Sequence, residues 1–165
     1  MTGDNTMKQI IAASRFAPAA LACAGLLLGA TSAAAADVPM EKVEQAVKYR
    51  QNVMSTMSGL AGTAVGQLRD GFSYGPELSA VAAALQAVTA DIPSLFPEGT
   101  DFGETEAKPE IWSDSAGFAE KSKEAADAAA AFAEAVESGD KKMMLGAFKA
   151  VGDSCKGCHE AYRTD

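Results

Sequence analysis

One histidine, one tryptophan and three cysteines are all that 165 residues offer of the side chains most often found doing chemistry. With His159 as the only histidine, a nucleophile–base pair of the Ser–His or Cys–His kind cannot be built once that ring is engaged elsewhere, which argues against a hydrolase. Positive charge is scarce too. Fourteen Lys and Arg face 22 Asp and Glu, a net charge of −8, where a nucleic-acid binder would carry a basic patch. The favoured protein partners are therefore basic or charge-tolerant. Aromatic residues make up 7% of the chain, β-branched residues are sparse and alanine is abundant, which is a helical composition. There is no internal repeat and no low-complexity tail.

Long hydrophobic runs are lacking as well. Residues 16–29, FAPAALACAGLLLG, form the one extended apolar stretch, and it is shorter than the roughly 20 residues that span a bilayer. It follows Lys8 and Arg15 and precedes Thr31-Ser32-Ala33-Ala34-Ala35-Ala36, so it reads as the core of a secretory signal peptide with several small-residue cleavage sites. The expected cut is after Ala36, within two residues. That removes residues 1–36 and leaves 37–165 as one domain, with no membrane segment in the mature form. The competing reading is a retained membrane anchor. Met7 begins a more ordinary signal sequence than Met1. Cleavage also removes Cys23, a poor lipobox cysteine because the apolar run continues past it. Only Cys155 and Cys158 remain, so no structural disulfide is called for.

Those two cysteines stand in Cys155-Lys156-Gly157-Cys158-His159, the C-x-x-C-H attachment signature of c-type haem. Two thiols add across the two vinyl groups of one porphyrin, and the imidazole that follows takes an axial position on iron. On a helix Cys158 lies roughly 60° and His159 about 40° around the axis from Cys155, so one side can present all three. A bare C-x-x-C also serves dithiol redox centres and half of a zinc site. Here no second cysteine pair exists to complete a zinc tetrahedron, and nothing nearby reads as the strand of a thioredoxin-like unit. Two buried cysteines beside a surface histidine are the remaining alternative. Export and haem attachment agree on one compartment, the periplasm.

Helical periodicity runs through most of residues 37–165. After Asp37-Val38-Pro39, apolar residues recur at Val43, Ala46, Val47, Val53, Met54, Met57, Leu60, Ala61, Ala64, Val65 and Leu68, predicting a first helix to about Asp70. Gly59, Gly62 and Gly66 weaken its second half and would let another backbone approach. Gly71 to Pro76 break the pattern. Pro76 is expected to open a second helix with Leu78, Val81, Ala82, Leu85, Val88 and Ile92 inside, and Pro93 to stop it. Residues 93–112 read as a long loop anchored by Leu95, Phe96, Ile111 and Trp112. A third helix is expected from a Ser113 cap through Phe118, Lys121, Ala125, Ala129, Phe132 and Val136 to Gly139. Asp140 should cap a fourth, whose inner face runs Met144, Leu145, Phe148, Val151, Cys155, Cys158, His159, Tyr162. Short first and third connections make this an all-α, up-down-up-down antiparallel four-helix bundle with covalently attached haem held inside one end.

On the C-terminal CKGCHEAYR, the N-terminal YRQNVM and the loop LFPEGT…TEAKPEIW, the chain resembles the class II c-type cytochromes, and among them the cytochrome c′ family. The resemblance covers residues 37–165, and the placement of C-x-x-C-H near the C-terminus is its most discriminating feature. It implies one covalent haem c, with thioether links at Cys155 and Cys158 and His159 as the axial iron ligand. It further implies Arg163 on the proximal side, Arg50 by the haem propionates, Trp112 at the haem edge and Met54 on the distal face. Read without the resemblance, Arg50 and Arg163 are exposed helix charges and Trp112 a loop anchor.

Met54 decides the expected function. As packing, it leaves the iron pentacoordinate, and an apolar pocket without hydrogen-bond donors favours the diatomics NO and CO over O₂. As a thioether ligand it makes a low-spin electron carrier, with Met57, one turn on, as the fallback. The YRQ context favours the open site. The resemblance therefore implies NO binding or detoxification and one-electron chemistry with periplasmic redox partner proteins, in a homodimer formed through the first helix, and no classical enzyme activity beyond slow NO or peroxide turnover.

Overall fold

A computed structural model of the protein describes residues 38–72 and 75–164; the signal peptide expected at 1–36 lies outside the described residues. Four long helices form the bundle: α1 (Met40–Arg69), α2 (Leu78–Thr89), α4 (Ser115–Ser138) and α5 (Lys141–Tyr162). A 3₁₀ turn (Ile92–Leu95) and a one-turn helix, α3 (Glu110–Ser113), interrupt the connection between α2 and α4. No strand is present among the described residues, and no described helix is long and apolar enough to cross a membrane.

Each helix starts and stops for local reasons. Glu41 sits in the first turn of α1, where the helix dipole favours an acid. The chain leaves α1 through Asp70 and then Gly71, whose φ of 74° suits only a residue without a Cβ. Asp140 accepts from the backbone N–H of Lys142 and Met143 and so caps α5, as expected, and Gly139 (φ 72°) closes α4 in the left-handed conformation. The cap of α4 is corrected by one residue. Ser113 is spent as the last residue of α3, and the Asp114 side chain takes the N–H of Gly117 instead. The second helix opens at Leu78, two residues after Pro76. The expected loop 93–112 carries more regular structure than its prolines suggested, because Pro93 and Pro109 each sit where a short helical turn begins.

The main core joins α1, α2, α4 and α5 through Ala64, Leu68, Val81, Ala82, Leu85, Ala129, Phe132 and Val151. On the inner face of α4 the step after Phe118 is Ser122 rather than Lys121; its buried hydroxyl donates to the Phe118 carbonyl at 2.8 Å. A second cluster, Ile92, Ile111, Phe118, Ala125 and Tyr162, lies under the α2–α4 connection. There the rings of Phe96, Phe118 and Tyr162 stack edge to face in series, centroids 5.1 and 5.2 Å apart. Helix α4 is the spine, packing extensively on α5 and α2, while α1 packs on α2 and touches α5 only sparsely.

Candidate haem site

Cys155, Cys158 and His159 occupy the last two turns of α5. Both cysteines are half-buried and carry free thiols. Burial pushes both thiols above their ordinary value, and for Cys158 the neighbouring Cys155 adds to it, so at neutral pH both stay protonated. His159 sits at the solvent edge of this face, about 100° around the helix from Cys158, so the three side chains share a side without sharing a burial. Partial desolvation, and then the charge of Arg163, hold the imidazole below its ordinary value. A neutral imidazole is the form that ligates a metal.

Across from α5, helix α1 contributes Met54 and Met57. Met54, Met57 and Cys158 all pack against the second cluster, and Met57 and Cys155 also pack against the main core. The two thiols and the two thioethers therefore border the same apolar region, along the seam where α1 and α5 barely touch. Helix α5 buries only Val151 and Tyr162 among its 22 residues, whereas α4 buries six of 24. This part of the α1–α5 seam is thus bordered by two thiols and by apolar side chains, and the residues present fit a covalently attached porphyrin. A cleft of about 340 Å³ between the end of α2 and α4, lined by Thr89, Asp91, Ser122 and Lys123 among others, includes none of the candidate residues.

Arg50 stands one turn before Met54 and is only 2% exposed. Its Nη1 donates to the Thr100 carbonyl (3.0 Å) and to Thr100 Oγ1 (3.1 Å), and its Nη2 to Thr105 Oγ1 (2.7 Å). The guanidinium lies 5.1 Å from the Phe96 ring centroid and 5.6 Å from that of Trp112. No carboxylate among the described residues pairs with it. Burial lowers its pKa, but a guanidinium starts so high that it stays charged. Arg50 is thus a buried cation without a counter-ion, and it clasps the loop. Read from sequence it was an exposed helix charge unless the resemblance held; the structure buries it, and no spacing in the chain pointed to Thr100 or Thr105.

Trp112 is half-buried, donates from Nε1 to the Pro97 carbonyl (3.1 Å) and meets Phe96 edge-on at 6.0 Å. Arg163 is exposed. Its Nε bonds Glu106 Oε2 at 2.7 Å, and its backbone N–H closes the last turn onto the His159 carbonyl. Sequence reasoning also missed Asp114, which accepts from the Tyr162 hydroxyl at 2.9 Å and so ties the start of α4 to the end of α5.

Residues 45–163 match the family model described as "Cytochrome C'". The cytochrome c′ of Rhodospirillum rubrum is 34% identical over 120 residues, covering 72% of this chain and 82% of that protein. The nitric oxide complex of a cytochrome c prime variant from Alcaligenes xylosoxidans superposes with a TM-score of 0.68 at 35% identity, covering 74% of this chain and 97% of that one. A carbon monoxide-bound variant of the same Alcaligenes protein gives the same score, identity and coverage.

Proposed function

Because the chain belongs to the cytochrome c′ family, we propose that it is a periplasmic c-type haem protein that binds NO and CO on its Met54 side and exchanges single electrons. The observation that carries this reading is the pairing of two half-buried cysteines on α5, neither in a disulfide, with the half-buried Met54 and Met57 of α1, across a seam where the two helices barely touch. One covalent haem supplies a one-electron couple and a metal that can bind a diatomic gas. The solved relatives that hold NO and CO support the choice of gases.

The chain's own residues do the rest. Cys155 and Cys158 would hold the porphyrin on α5, and His159, neutral and one residue on, would give its ring nitrogen to the iron. Met54 and Met57 give the opposite side apolar walls with no N–H or O–H to donate to a bound gas, which favours NO and CO over O₂. Arg50 faces the propionate side as a fixed cation, Trp112 closes the edge beside it, and Arg163 lies on the proximal side of His159. The protein is no classical enzyme: it binds gas reversibly and transfers electrons. Its redox partners are periplasmic proteins with basic or charge-tolerant surfaces, matching the net charge of −8. The second copy in a homodimer docks on α1, where Tyr49 is 63% exposed and a Cβ on Gly59 or Gly62 would meet nothing within 4 Å. Sedimentation of the haem-loaded protein tests the dimer; a monomer at every concentration removes it.

Absorption spectra of the purified protein, oxidised, reduced, and reduced with CO, test the main reading. A high-spin spectrum that shifts with CO is expected. A low-spin spectrum indifferent to CO would instead assign Met54, or Met57, to the iron and make the protein an electron carrier.

A further inference from the structure

Residues 104–108 are gripped at one end by α1 and at the other by α5. We propose that this segment is a strap that sets the separation of the two helices, and with it the room on the Met54 side. The inference rests on the haem reading above. At the α1 end, Arg50 Nη2 donates to Thr105 Oγ1 (2.7 Å) and Gln51 Nε2 to the Glu104 carbonyl (2.9 Å). Thr105 Oγ1 also accepts from the backbone N–H of Ala107 at 3.1 Å, which fixes its own rotamer.

At the α5 end the chain leaves the helix extended, and Ala107 pairs with Arg163 as a single antiparallel bridge. The Lys108 N–H donates to the Tyr162 carbonyl (3.0 Å) and the Thr164 N–H to the Glu106 carbonyl (2.8 Å). Lys108 Nζ reaches the Glu160 carbonyl at 3.0 Å, and Glu106 pairs with Arg163. The two bonds from Lys108 satisfy carbonyls that the end of a helix leaves without partners.

Two features make the segment a spacer rather than a decoration. The residues it grips flank the site: Arg50 is one turn before Met54, and Glu160 to Tyr162 directly follow His159. Direct contact between α1 and α5 is sparse; the main core couples them through α2 and α4, and the segment links them outside that path, at the end of the bundle that carries Met54 and His159. Thr105, at the one end, and Lys108, at the other, are positioning residues that touch neither the thiols nor the methionines.

The test uses the haem-loaded full chain, wild type, Thr105→Val and Lys108→Met, each removing side-chain hydrogen bonds at one end of the strap. Nitroxide labels on Ser58→Cys (α1) and Ala150→Cys (α5), both exposed positions, read the helix separation by pulsed electron–electron resonance, while CO titration of the reduced protein reads the room. Both strap variants should shift or broaden the label separation and change CO affinity by roughly fivefold or more, with the haem still attached. An unchanged separation overturns the strap, and so does a changed separation with wild-type CO affinity. A wild-type protein inert to CO overturns the gas-binding function instead. In that case the separation and the absorption spectrum decide the strap: a shift in both supports it, and no shift in either one overturns it.

Discussion

Replacing Gly117 by alanine should destabilise the protein, although helix propensity alone argues the opposite. Alanine is favoured over glycine inside a helix by about 1 kcal/mol, and less near an end such as this third residue of α4. A Cβ at Gly117, however, would fall on Asp114 Oδ2 and 2.6 Å from the Tyr162 hydroxyl. Neither neighbour is free to yield. Asp114 caps α4 through the N–H of Gly117 itself, and it accepts from Tyr162 at 2.9 Å. The Tyr162 ring is held edge-on by Phe118, 5.2 Å away. Losing the cap costs about 1 kcal/mol, which cancels the propensity gain. Forcing an extra methyl into a packed site adds about 1–3 kcal/mol, so the net effect is about 2 kcal/mol of destabilisation. For a domain of this size that lowers Tm by about 5–8 °C. Thermal unfolding of the haem-loaded protein, followed by far-UV circular dichroism, measures it. Tyr162→Phe in the Gly117→Ala background should recover part of the loss, because it removes one of the two clashing oxygens. A Tm equal to or above wild type in Gly117→Ala would refute the reasoning.

Arg50→Lys keeps the charge, but one ammonium cannot reach both Thr100 and Thr105; urea unfolding should show a loss of about 1–3 kcal/mol, with faster proteolysis within residues 96–112. Phe132→Ala empties the centre of the main core, where Phe132 is 0% exposed, and should cost about 3–5 kcal/mol in the same assay. The intact mass of the secreted protein should equal the chain from Asp37 plus one haem, and Cys155→Ala with Cys158→Ala should lose the haem mass while a denaturing gel shows no haem stain. A mass that retains residues 1–36 would restore the membrane-anchor reading.

The helices were legible because their apolar steps of three and four residues are long and strong, and because Gly139 and Asp140 carry stop and start signals whose chemistry is local. The attachment motif was legible for the same reason: Cys155, Cys158 and His159 are neighbours in sequence, so their chemistry does not wait for the fold. What could not be read is non-local. Arg50 bonds Thr100 and Thr105, fifty and more residues away, and a lone arginine on a helix carries no mark of burial. Ser113 looked like a cap because Ser is a good cap; only the extra turn of α3, set by Pro109 and the docking of Ile111 in the second cluster, moved that role to Asp114. The links of Glu106 and Lys108 to residues 160–164 include two backbone bonds, to which the side-chain pattern is blind, and side-chain bonds that only the fold brings within reach.

Arg50 also shows why clasping the loop and facing an anionic cofactor edge need not compete. A guanidinium taken out of water without a partner costs several kcal/mol. Here three hydrogen bonds from a charged donor, at about 1.5–3 kcal/mol each, and two aromatic faces offset that cost before any anion arrives. None of those partners carries a negative charge, so the net positive charge of the site survives intact. Its Nε takes part in none of these bonds. A propionate approaching this end of the bundle therefore meets a cation already fixed in place, and the entropy of ordering the arginine has been spent in folding rather than in binding. A carboxylate partner in place of Thr100 and Thr105 would have held the loop as well and cancelled the charge. The choice of two neutral hydroxyls and a carbonyl is what lets one side chain close the loop and still keep its positive charge uncancelled at this end of the bundle.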